Sequence, residues 1–158
     1  MRTGRSILSG ARALAVLVTL VLSGTALAIA AAAVPFKGGA AGAVVGVEPT
    51  TDGVRLTIHA SGVATHLGKF DRVEELLLDP ATGGVTGTIV FVAANSDELH
   101  VNVVGGFVSP TTALGEYEFV GGTGRFANAS GSASFEAVSP DGIEVAVQFA
   151  GTLSGIGN

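Results

Sequence analysis

The sequence predicts an all-β protein: an eight-stranded antiparallel closed β-barrel preceded by an N-terminal signal helix. Three observations carry this prediction. Apolar side chains recur at every second position in segment after segment, as they do where one face of a strand is buried. Clusters of Gly, Pro, Asn and Asp separate those segments. No stretch beyond the leader has the spacing of an amphipathic helix, and the composition agrees, with 24 glycines, no Trp and only 13% charged residues.

The first element is the leader. Arg2, Arg5 and Arg12 precede an apolar run from Ala13 to Leu22, and Ala26-Leu27-Ala28 is an A-x-A cleavage pattern. Residues 1–33 therefore read as a signal peptide and residues 34–158 as a single barrel domain, secreted or extracellular, with the periplasm or cell surface as variants of that location. The competing reading is an uncleaved anchor, because Ala13 to Val34 spans 22 residues and about 20 suffice to cross a bilayer. With no cysteine, disulfides and a lipid-anchored leader are both excluded, so the exported domain relies on its core. Cleavage leaves five basic against 13 acidic side chains, a net of −8. Nucleic acid is thereby excluded as a partner, and no stable membrane association is expected after cleavage.

The strands follow in order: Gly42–Val47, Val54–Gly62, Phe70–Leu78, Val85–Ala94, Glu98–Phe107, Leu114–Val120, Gly131–Val138 and Ile143–Leu153. In Val54 to Ser61 the apolar side chains alternate with Arg55, Thr57, His59 and Ser61. Leu99, Val101 and Val103 oppose Glu98, His100 and Asn102 in the same way, and Ile143, Val145, Val147 and Phe149 repeat the scheme. Short connections make successive strands antiparallel neighbours, and a closed meander of this kind leaves no exposed edge. A barrel this narrow either fills with side chains or holds one small ligand. The inward set expected to line a ligand lumen is Leu56, Ile58, Phe91, Val101, Tyr117, Phe119, Phe135 and Phe149.

Val85 to Ala94 is apolar on both faces. With Val85, Ile89 and Phe91 inward, Val90 and Val92 point outward beside Val104, either as a subunit interface or beneath a cover formed by a loop or by the segment Phe36–Val47.

The most informative stretch is Val120-Gly121-Gly122-Thr123-Gly124-Arg125-Phe126, followed by Ala127 to Gly131 and another strand. Gly121, Gly122 and Gly124 suit a turn with φ values that side chains forbid, Arg125 is placed to bond backbone carbonyls, and Phe126 to plug one barrel end. This order resembles the dirigent proteins and the allene oxide cyclase-like barrels, especially their bacterial secreted relatives. The segments Gly62 to Phe70 and Ala93 to Leu99 look like two further signatures of those relatives, so the resemblance covers roughly residues 54 to 153. It implies an eight-stranded barrel, commonly a homotrimer, whose lumen receives a small hydrophobic molecule. Dirigent proteins orient coupling phenoxy radicals without oxidising them, and allene oxide cyclases fold an unstable epoxide toward ring closure. The matching motifs belong to turns, so no catalytic residue is carried over from either family.

Candidate chemistry is sparse. Gly122-Thr123-Gly124 imitates part of a dinucleotide fingerprint, but it precedes a strand where that fingerprint opens a helix. His59, His66 and His100 lack metal-ligand spacing, so neither a metal nor another cofactor is expected. His66 lies in the Gly62–Gly68 connection, expected at a barrel mouth, and serves there either as a proton-transfer group or to stabilise a turn. From Asp71 to Leu78 the alternation slips, so either a bulge occurs or one carboxylate points inward. An inward Glu74 or Glu75 is the leading candidate for an acid or base, against simple exposure at a strand start with Leu76 and Leu78 inward. Three function classes remain: a binding or guiding barrel for a small apolar molecule, an isomerase or cyclase working in the lumen, and a non-catalytic structural or surface protein. Whether the chain is an enzyme is left open at this point.

Overall fold

The computed structural model describes residues 32–157, so the leader and its signal helix lie outside the described residues. Eight strands follow one another: β1 (Val34–Thr50), β2 (Gly53–Ala64), β3 (Gly68–Leu78), β4 (Gly84–Ala93), β5 (Glu98–Ser109), β6 (Thr112–Gly122), β7 (Ser130–Val138) and β8 (Glu144–Ser154). Each pairs antiparallel with its sequence neighbour, and β1 pairs with β8, which closes the barrel. Among the described residues the helical content is one 3₁₀ turn, Gly124–Phe126.

The connections alternate between two ends. Those joining β1 to β2, β3 to β4, β5 to β6 and β7 to β8 surround one opening. The start of β1, the end of β8 and the other three connections gather at the opposite, closed end.

The closed half is packed with aromatic rings. Phe36 stacks on Phe149 with centroids 5.4 Å apart and meets Phe119 edge-on at 4.9 Å, while Phe70 meets Phe91 at 5.0 Å. Such pairs add about 0.5–1.5 kcal/mol each beyond the area they bury. Phe126, fully buried, caps this end.

Two expectations are corrected. β1 begins at Val34, eight residues before the expected Gly42, and it lies between β2 and β8. The segment Phe36–Val47 therefore does not cover Val90 and Val92; Phe36 and Ala40 point inward instead. The early residues hid their alternation because Gly38, Gly39, Ala41 and Gly42 offer almost no contrast between faces. Close approach explains the glycine at Gly42, where a Cβ would run into the His59 carbonyl of β2. Val90 and Val92 are half-buried on the outer wall, and Val104 is exposed there.

Candidate functional site

The open half of the barrel holds a cavity of about 380 Å³. Its walls are mostly aliphatic, with Leu56 and Ile58 from β2, Leu76 from β3, Val103 from β5 and Phe135 from β7 facing inward. It opens between the turns that carry Pro110, Thr111, Ser139 and Gly142. A larger depression of about 590 Å³ lies against β2, β3 and β4, but it is an open surface feature edged by outward side chains such as Lys69 and Asp71. The enclosed, apolar lumen is the better candidate site.

At its floor the lumen turns polar. β3 contains no bulge against either neighbour, so its side chains alternate strictly, and Phe70, Arg72, Glu74 and Leu76 are all buried. Arg72 Nη2 stands 2.6 Å from Glu74 Oε1. Arg72 Nη1 donates a 3.2 Å hydrogen bond to the Tyr117 hydroxyl from β6. The guanidinium also lies over the Phe91 ring, 5.6 Å from its centroid, at the boundary between cavity and packed half.

This cluster is incompletely satisfied. The ion pair engages Arg72 Nη2 with Glu74 Oε1, while the buried Arg72 Nε has no hydrogen-bond partner. Burial pushes the Glu74 carboxyl above its ordinary 4.5, and the Arg72 charge offsets this only in part. Burial likewise raises the Tyr117 phenol from 10.0 to about 12, so it stays protonated at neutral pH. A carboxyl whose proton affinity burial raises, a neutral phenol and a fixed cation therefore converge on one apolar chamber, an arrangement able to orient a polar group or relay a proton.

The residues expected from sequence fall into distinct places. Leu56, Ile58, Tyr117 and Phe135 line the cavity, whereas Phe91, Val101, Phe119 and Phe149 are buried in the packed half. Glu74 points inward, while Glu75 points outward and is exposed. His66 is not at the mouth. It occupies the β2/β3 turn at the closed end, exposed, with φ of +65°. Its carbonyl accepts a hydrogen bond from Arg125 Nη2, and the Arg125 guanidinium covers the Phe126 ring at 4.8 Å. Gly121 (φ +97°) and Gly124 (φ +52°) take left-handed backbone there, with Gly122 packed against Glu98 of β5. Among the described residues no group of three or more His, Cys, Asp or Glu side chains is arranged to hold a metal ion.

Arg72 is the cavity-floor residue that sequence reasoning missed. The signal was parity: if Leu76 and Leu78 point inward on an unbulged strand, Glu74 and Arg72 must do so too. Inward leucines and an exposed Glu74 were thus never compatible.

No family model and no curated protein matches the chain. Among solved structures it is similar to the pterocarpan synthase dirigent protein PsPTS1, at 15% identity and TM-score 0.58, over 82% of this chain and 99% of that one. It is similar also to the pterocarpan synthase dirigent protein GePTS1, at 16% identity and TM-score 0.58, over 90% of this chain and 100% of that one. At such identities the likeness speaks to architecture: the chain has a dirigent-like eight-stranded barrel.

Proposed function

We propose that this dirigent-like barrel is exported and binds a small hydrophobic molecule in its open half, holding it in a fixed orientation. The observation that carries the reading is the apolar 380 Å³ cavity with Arg72, Glu74 and Tyr117 at its floor. Aliphatic walls supply affinity without direction, and a few convergent polar groups supply orientation. Export rests on the leader pattern, and closeness to bacterial secreted allene oxide cyclase-like barrels rests on the Val120–Gly131 turn.

The test is uptake of a neutral fluorescent phenylnaphthylamine by the purified mature domain. Saturable, stoichiometric binding that Ala137→Phe abolishes supports the reading, because Ala137 lines the cavity and is only half-buried. A folded protein that takes up no probe overturns it and favours a structural role.

The convergence of Glu74 and Tyr117 favours a second reading, an isomerase or cyclase in the same lumen. The two neighbours' names describe them as synthases, which bears on the same choice. Glu74→Gln separates the two: a guide keeps its effect on product geometry with a carboxamide there, whereas a proton-transferring enzyme loses turnover while still binding. Assembly as a homotrimer is part of the proposal, through the outward patch of Val90, Val92 and Val104; a strictly monomeric species by light scattering removes that part.

A further inference from the structure

The entrance and the far end of the barrel differ in charge. Glu48 and Asp52 flank the β1/β2 turn, Asp79 stands at the β3/β4 turn, and Asp141 and Glu144 flank the β7/β8 turn. Each lies within two residues of a residue that lines the cavity: Val47, Val54, Leu78, Gly142 and Val145. The basic residue in these turns is Arg55, 3.6 Å from Glu48, so five carboxylates face one guanidinium, a net of −4. Lys37, Lys69 and Arg125 all sit toward the closed end. Turn hydrogen bonds from the Thr82 hydroxyl and Ala81 amide to Asp79, and from the Ile143 and Glu144 amides to Asp141, fix two of the carboxylates in place.

An independent observation lies behind this ring. Arg72 is 2% exposed and Glu74 4% exposed, both line the cavity, and Arg72 Nε lacks a hydrogen-bond partner. The chamber therefore has room and unmet polar capacity, yet its one buried cation is matched by its one buried carboxyl. An anionic guest gains no net charge partner inside and must pass the acidic ring to enter. Apolar walls sharpen that barrier, because low-dielectric surroundings focus the field at a charged opening.

We infer that the mouth is an electrostatic filter, and that the molecule bound in the lumen is an uncharged or cationic amphiphile rather than an anionic one. The inference rests on the cavity-binding reading and narrows its ligand class.

Three phenylnaphthylamine probes test it on the mature protein: the neutral parent, its sulfonate, and an analogue bearing a trimethylammonium group. At low ionic strength the cationic probe should associate about tenfold faster than the sulfonate, or more, with the neutral probe between them. In about 1 M salt, where charges are screened beyond roughly 3 Å, the order should collapse. The double variant Asp52→Asn/Glu144→Gln should shrink the low-salt spread while leaving the neutral probe unchanged, since neither side chain holds a turn together. Neutral-probe binding with no charge order, or with the sulfonate favoured, overturns the filter and spares the cavity reading. Failure of all three probes to bind a folded protein overturns both.

Discussion

Glu74 and Arg72 respond differently to losing each other. A carboxylate stranded in an apolar lumen takes up a proton and becomes neutral, whereas an arginine keeps its charge at any pH a protein survives. Glu74→Leu should therefore destabilise the barrel by about 3–5 kcal/mol, the range for a buried pair broken at one partner. Arg72→Leu should cost clearly less, and Arg72→Leu/Glu74→Leu should return toward the parent; urea unfolding of the four proteins reads the cycle. The pH dependence has an unusual sign. Because the folded state raises the Glu74 value above 4.5, its contribution is fully present below 4.5 and is lost as pH rises through the folded value. Asp79 and Asp141, held low by turn hydrogen bonds, act oppositely: their contribution is present above 3.8 and lost as pH falls through their folded values. Glu74→Gln should thus remove the decline above 4.5 and leave the acid limb intact, as followed by urea midpoints across pH. Tyr117 is the chain's one tyrosine, so ultraviolet titration of the folded protein should report a single phenol ionising near 12.

Among the elements, the 3₁₀ turn Gly124–Phe126 shows how a loop closes a barrel end. Gly124 has φ of +52°, and a Cβ there would strike the Asp97 carboxylate, which accepts a 3.2 Å hydrogen bond from the Arg125 amide. Gly124→Ala should lower stability by at least about 1–2 kcal/mol, the cost of left-handed backbone alone, with probe uptake at the other end preserved. Denaturant melts and a binding titration on the same sample check both halves of that expectation. This turn was legible because a glycine-dense run with one arginine has few other uses. β1 was only half legible: Val44 and Val47 bear side chains that contrast, while the glycines and alanines before them do not. β3 was legible in placement but not in parity, since two adjacent glutamates disguise a strand that never leaves register.

Over the whole molecule, the alternating pattern was enough for the strand number and for closure, yet the division of the interior into a packed half and an open half was hidden. That division depends on which inward residues share a level, which registers set and sequence spacing does not. Phe36, Phe70, Phe91, Phe119 and Phe149 come from five strands and meet only in the closed barrel. Phe91→Ala should accordingly cost about 3–5 kcal/mol, because the rings around it are held by the sheet and cannot collapse into the space left behind. Ala137→Phe should leave the unfolding midpoint nearly unchanged, because it fills space that is already empty.

Val34 pairs with Leu153, so the first and last strands meet side by side at the sealed pole. Any cargo, tether or carrier fused to either end of the domain would hang from its base. A layer of such barrels grafted onto a solid support would stand upright like cups, rims toward the liquid, and a short linker joining the two ends would let new termini be cut elsewhere without disturbing the bowl.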